Sequence, residues 1–292
     1  MPRVHSLNIV FSAIEAFFDS MPVKAYTYKR LCIIIDDNKV SWNIDFRKSA
    51  KYVIDYLLKR GVLFEFEIFG SKKNSFQILS WKTQDELTII SGIKWQSYFM
   101  YYTAISMHGL TLQIPKTVYL NAERNTIATF SDRSDLSQAD IDEAFSKEQR
   151  KSENMMAFNN KNILLLNSGY TGRLGIISVR KQGHNFYYTD LERTLIDIVV
   201  RPAYSGGVFE VLESYRKAKG RLDVKKLFRY LKKLNYIYPY HQSIGFYLEV
   251  AGYPEEDCRI FECEMLFDFY LTYNIKNKSY SNRWRLFYPK GI

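Results

Sequence analysis

Nine of the eighteen residues from Arg216 to Lys233 are basic, against one acid, Asp223. They are Arg216, Lys217, Lys219, Arg221, Lys225, Lys226, Arg229, Lys232 and Lys233. Val224, Leu227, Leu231 and Leu234 recur among them at helical spacing. That predicts a helix whose core stripe lies opposite Lys225, Lys226, Arg229, Lys232 and Lys233. Charge of one sign on one face suits nucleic acid or an acidic protein surface, since faces kept for solubility interleave both signs. A sparser basic set lies near the start of the chain. Arg47, Lys48, Lys51 and Tyr52 fall on a helix expected from about Ile44 to Arg60, and Lys72 and Lys73 fall at the tip of a β-hairpin. On a recognition helix, Arg or Lys can reach guanine edges, while lysines at a hairpin tip can take backbone phosphates. Asp45 and Asp55 share the helix face and count against DNA.

The segment TDLERTLIDIVVRPAYSGGVFEV, Thr189 to Val211, carries the densest local grammar. Thr189 and Glu192 have capping-box spacing, so each side chain is expected to satisfy a free N–H at the helix start. Arg193 and Asp197 stand four apart and can pair across one turn. Pro202 turns Arg201 away from helical geometry, and Gly206 and Gly207 permit a sharp turn into a second apolar helix. A nuclease whose metal site is assembled from scattered acids such as Asp190, Glu192 and Asp197 is the reading that ranks last. No HExxH, Walker loop, GxSxG elbow or kinase set occurs, and His5, His108, His184 and His241 are isolated. NSGYTGRLG, Asn167 to Gly175, is followed by a β-rich run, so a hairpin turn is expected there in place of a phosphate cradle. Neither catalysis nor a metal nor a cofactor is expected.

These residues need elements to hold them. Leu7 to Phe18, Tyr28 to Ile35 and Ile44 to Arg60 show helical spacing, with Phe46, Ala50, Val53, Ile54, Leu57 and Leu58 lining the third helix and Gly61 at its C-terminal cap. Val62 to Phe69 and Ser75 to Leu79 predict two strands. Three helices and a ribbon outline a winged helix-turn-helix over residues 1–82. Residues 83–92 read as a linker, and 93–292 as a mixed α/β domain, so the fold class expected is α+β. Strands are expected at Val118 to Leu120, Thr126 to Phe130, Ile163 to Leu166, Leu174 to Val179 and Phe186 to Tyr188. A short helix is expected near Ala139 to Phe145, and helices from Thr189 to about Asn235. The 292 residues carry a formal charge of +10, with pI ≈ 9.2. Residues 1–100 contribute 14 basic against 10 acidic side chains, 101–200 contribute 11 against 11, and 201–292 contribute 16 against 10. The surplus therefore belongs to the two ends and favours a polyanionic partner. Three scattered cysteines, no leader-like start and no long apolar run point to a cytoplasmic protein without a membrane partner.

Two segments resemble one known family. ERTLID, then RP, a glycine pair and an apolar helix are similar to the antitoxin domain of the type IV abortive-infection antitoxins, the AbiEi family. YYTAISMHGLTLQIPKTVYL, Tyr101 to Leu120, resembles that family's helix, HGLT turn, Q-x-P and strand. The likeness is strongest over roughly residues 95–250, and YHQSIGFYLE departs from the basic residue and leucine-glycine pair usual there. The resemblance implies a winged-helix repressor of its own promoter, binding an inverted repeat. It also implies a second domain that counters a nucleotidyltransferase toxin, often without a stable complex. His108, Gly109, Pro115, Glu192, Arg193, Asp197, Arg201, Pro202, Gly206 and Gly207 carry the match and are expected to be structural. The alternative is a stand-alone winged-helix regulator without a toxin.

Overall fold

A computed structural model describes residues 7–70, 74–124, 136–181 and 183–292. The elements begin with α1 (Leu7–Ser20), β1 (Ala25–Thr27), α2 (Tyr28–Asn38), α3 (Ala50–Lys59), β2 (Leu63–Gly70) and β3 (Ser75–Trp81). Next come α4 (Glu86–Ser91), β4 (Tyr98–Phe99), α5 (Tyr101–Met107), β5 (Thr117–Asn121) and α6 (Gln138–Ser146). Four strands follow, β6 (Met155–Phe158), β7 (Lys161–Leu166), β8 (Ile176–Lys181) and β9 (His184–Thr189). Five helices come after them: α7 (Leu191–Val200), α8 (Val208–Ala218), α9 (Val224–Leu234), α10 (Tyr240–Val250) and α11 (Glu255–Arg259). The last strands are β10 (Phe269–Tyr270), β11 (Lys278–Ser281) and β12 (Leu286–Pro289). The class is α+β, as the sequence predicts. No helix among the described residues is long and apolar enough to cross a membrane. The strand expected at Thr126 to Phe130 lies outside the described residues.

The chain folds into two compact units, and neither is one continuous stretch. The first is the chain up to Tyr98 plus two later returns, Asn154–Leu165 and Ser178–Tyr187. Its helices α1, α2 and α3 bury Ile14, Phe18, Leu31, Ile35, Val53, Ile54 and Leu57 against Leu79 and Trp81 of β3. Phe18 stacks on Trp81 at 4.9 Å. β3 is flanked by β1 (Tyr26 opposite Leu79) and β2 (Glu65 opposite Leu79), both antiparallel. β2 continues the pairing to β6, with Phe69 opposite Ala157.

Three expectations for this unit are corrected. The helix starts at Ala50, not Ile44, because Ser49 caps it by accepting from the Tyr52 N–H. Upstream, the Asp45 carboxylate accepts from the Arg47 N–H, a local bond that competes with helix formation. Trp42 and Ile44 take the core positions instead, and Phe46, expected in the apolar stripe, is 75% exposed. Residues 83–92 are not a linker: Asp85 caps α4, and Ile89 and Ile90 are fully buried. β1 leaves no mark in the sequence because three residues are too few for a period-2 signal.

The second unit comprises Phe99–Glu153, Leu166–Ile177 and Tyr188–Ile292. Its core gathers Leu195, Ile196 and Ile198 of α7 with Val211 and Tyr215 of α8, Leu227 of α9, and Ile244 and Tyr247 of α10. A small sheet in the order β10-β12-β11 closes the chain. Trp284, in the turn between β11 and β12, lies where a Cβ on Gly245 would stand 2.1 Å from the indole, so only glycine lets α10 approach that ring. Residues 167–175 are not a hairpin turn, since β7 pairs with β6 while β8 pairs with β9.

Candidate functional site

On α3 the apolar stripe Ala50, Val53, Ile54 and Leu57 is sealed in the core, which leaves Lys51 and Tyr52 outward. Lys48 precedes the helix, and its ammonium sits 4.4 Å above the Tyr52 ring, a cation–π contact. Arg47 is held differently. Its guanidinium grips Asp45 through both carboxylate oxygens, with a closest approach of 2.6 Å. Those hydrogen bonds pull the Asp45 carboxyl down to about 2. Arg47, Lys48, Lys51 and Tyr52 thus lie together at the N-terminal end of α3, though only the last two are on the helix itself. Lys72 and Lys73 lie outside the described residues.

The nine basic residues between 216 and 233 do not share one face. Arg216 pairs with Glu213, the Lys219 ammonium donates to the Gly252 carbonyl, and Arg221 donates to the His108 carbonyl at 3.1 Å. Lys226 bridges Asp190 at 2.9 Å and Glu192 at 2.7 Å. What remains on α9 is Lys225, Arg229, Lys232 and Lys233, all exposed and without a salt bridge among the described residues. Positions 225, 229, 232 and 233 follow the i, i+4, i+7, i+8 pattern of a single stripe, opposite buried Val224, Leu227, Leu231 and Leu234. Lys232 rests 4.6 Å over Phe228, and the last two lysines oppose the negative end of the helix dipole. Lys217 is exposed on α8.

The motif segment builds a buried charged cluster. Helix α7 is capped by Asp190, whose carboxylate accepts from the Arg193 N–H, so the capping box expected from Thr189 and Glu192 does not form. Thr189 instead shares a hydroxyl bond of 2.7 Å with Thr194. Glu192 faces α9, where it accepts from the Asp223 N–H and from Lys226. Burial alone would lower the Lys226 ammonium, but the two carboxylates outweigh it and hold it above the ordinary lysine range. Tyr230 donates to Asp190 at 3.1 Å. Sequence reasoning misses Tyr230, although its place four residues after Lys226 puts both on the α9 face that meets Asp190.

Arg193 and Asp197 pair at 2.8 Å as expected, and both side chains are only 3% exposed. Desolvation pushes the Asp197 carboxyl up against the pull of Arg193. Arg193 also donates to the Leu174 carbonyl at 3.0 Å. Gly175 is pressed so close that a Cβ there would stand 2.7 Å from Cβ of Arg193. His108 joins through Nε2, 2.8 Å from the Thr189 carbonyl, and burial lowers its pKa. Gly109 turns the chain at φ +68°, and Pro115 follows in the same loop. Arg201 leaves helical geometry before Pro202 and donates to the Arg150 carbonyl, while Gly206 and Gly207 take φ of +82° and +90°. His108, Glu192, Arg193, Asp197 and Arg201 thus all make contacts within the fold. The acids considered for a nuclease are engaged by cations, and among the described residues no three His, Cys, Asp or Glu side chains are grouped to hold a metal ion.

No family model and no curated protein matches this chain. Among solved structures the chain is similar to the crystal structure of the RV2827C protein from Mycobacterium tuberculosis. The TM-score is 0.52 at 10% identity, covering 96% of this chain and 91% of that one. At that identity the likeness concerns the fold alone.

Proposed function

We propose that the chain is a DNA-binding antitoxin that represses its own promoter through a winged-helix first unit and neutralises a nucleotidyltransferase toxin through the second. One observation carries the DNA half: α3 seals its apolar face in a three-helix core and turns Lys51 and Tyr52, with Lys48 beside them, to solvent. The order helix, strand, helix, helix, strand, strand supports the winged-helix reading, with the β2–β3 ribbon as its wing. A recognition helix works from its N-terminal end, where these side chains sit. The antitoxin half rests on the resemblance over residues 101–120 and 189–211. In support, the two segments touch: His108 Nε2 lies 2.8 Å from the Thr189 carbonyl, and the Tyr102 hydroxyl donates to Glu210 at 3.3 Å. The partners are an inverted repeat in the promoter and a cognate nucleotidyltransferase toxin.

Gel shifts with the DNA upstream of the gene test the first half. Preference for that duplex over a scrambled one is expected, and equal affinity for both overturns specific repression. Growth rescue against a nucleotidyltransferase encoded beside the gene tests the second half, and absence of rescue overturns it. Lys48→Ala with Lys51→Ala should abolish repression and spare rescue. Point substitutions suit this separation better than removal of the first 90 residues, which would strip β6 of its partner β2.

A further inference from the structure

The turn between α2 and α3 holds two large apolar side chains out in water, Val40 at 72% and Phe46 at 75% exposure. This is not slack in the chain. Trp42 and Ile44, which alternate with them, are buried, and Trp42 packs on Phe17 at 5.2 Å. Backbone bonds from Ile44 to Lys39 (2.8 Å), Asn43 to Val40 (3.0 Å) and Lys48 to Asp45 (2.9 Å) close the turn. The Asp45–Arg47 pair fixes its far side. Phe46 is therefore presented by a pre-formed loop, three residues ahead of the cap of α3 and within five residues of Arg47, Lys48 and Lys51. An exposed aromatic followed in the chain by Lys48 and Lys51, neither of them in a salt bridge among the described residues, suits a partner that is anionic outside and apolar at one point inside. Duplex DNA has that chemistry in its major groove, where the thymine C5-methyl group is the apolar feature among hydrogen-bonding edges.

Resting on the reading of α3 as a recognition helix, we infer that Phe46 is a specificity-determining residue that contacts a thymine methyl group in the major groove, with Val40 beside it on the same turn. Such a contact adds sequence preference without engaging a further phosphate. It therefore changes discrimination while leaving the salt dependence alone.

The experiment selects a preferred duplex from a randomised pool with the full chain, then replaces each selected thymine by uracil in turn. At one position, loss of the methyl group should weaken the parent roughly 4-fold, the value of one buried methyl. The same replacement should leave Phe46→Ala unaffected, and Phe46→Leu should keep part of the penalty. Parent and Phe46→Ala should share one salt slope and one melting profile, because the ring is exposed. The inference is overturned if every uracil penalty persists in Phe46→Ala, or if no thymine carries a penalty. It is also overturned if 2-aminopurine beside the site brightens with the parent and not with Phe46→Ala, which would mean insertion between bases. A parent that binds the selected and scrambled duplexes equally overturns the recognition-helix reading itself. That result is distinct from the others, since it appears before Phe46 is changed.

Discussion

Helices α3 and α7 are each ten residues long, amphipathic in sequence and salted with charges, yet their charges do opposite things. α7 buries nine of its ten residues, including Glu192, Arg193 and Asp197, and its buried charges meet an opposite charge within the same unit. α3 buries four and leaves its cationic end in water. A buried charge is tolerated when its partner travels with it, because desolvating it alone costs several kcal/mol. The charges of α7 are thus committed to the fold, while Lys48 and Lys51 beside α3 make no salt bridge among the described residues, and there only Arg47 is paired, with Asp45. The largest test of that contrast is Asp197→Ala, which strands Arg193 in the core. It should cost about 3–5 kcal/mol in urea melts, whereas Lys51→Ala should cost less than about 0.5 kcal/mol. Equal costs would break the comparison. Replacing both partners together, Arg193→Met with Asp197→Leu, should recover most of the loss.

A smaller effect comes from the loop that leans on α7. Gly175→Ala must place a Cβ against Arg193, Tyr230 and the Asp190 carboxylate at φ +70°, and should lose about 1–3 kcal/mol while removing no charge. If it is neutral, the packing of residues 167–175 on α7 is looser than its geometry states.

Titration sharpens the same contrast. His108 is held below its ordinary value of 6.5 by burial, so its contribution is present above pH 6.5 and is lost as pH falls through the lower folded value. Lys226 is held above 10.5, so its contribution is full below that pH and is lost as pH rises past it. Stability should therefore decline on both sides of a plateau between those values. His108→Gln should flatten the acid limb, and Lys226→Met the alkaline one. A first-unit variant such as Lys51→Ala should alter neither limb.

How far the sequence reveals all this depends on the kind of signal. Helical periodicity locates α1, α7, α8 and α9, because a long apolar stripe repeats itself. It overruns at α3, where Ile44 and Phe46 look like one more turn of the stripe. The Asp45 side chain ends the helix early, and a hydrogen bond confined to three residues leaves no periodic trace. The Arg193–Asp197 pair is legible because i, i+4 spacing fixes it locally. Lys226 bridging to Asp190 and Glu192 is not, because it joins residues more than thirty apart. For the same reason the nine basic residues read as one patch, whereas the fold separates those tied to other groups from those left exposed. Spacing alone cannot say which cations are consumed by distant acids. The interleaving of the two units is likewise invisible, since β6 and β2 reveal no partnership in their composition.

That division sets the last and gentlest perturbation, on α9. A reversal of all five basic positions on the helix would include Lys226, and would put two carboxylates against a third. The resulting loss of fold would say nothing about partners. Reversal limited to Lys225, Arg229, Lys232 and Lys233 touches only the exposed stripe, and each change should move stability by no more than about 0.5 kcal/mol. If the stripe lies along phosphates flanking the operator, the variant should bind the promoter more weakly. Its salt slope should be shallower by about one unit for each phosphate the stripe no longer neutralises, and growth rescue should stay intact. If the stripe serves the toxin, rescue fails and the gel shift is unchanged. A reversed stripe that leaves both activities at the parent level would place α9 with α7, among helices whose charges serve only the fold and its solvation. We expect weaker promoter binding, because the second unit's spare positive charge has no acidic counterpart on its own helix, where Asp223 is engaged as the cap.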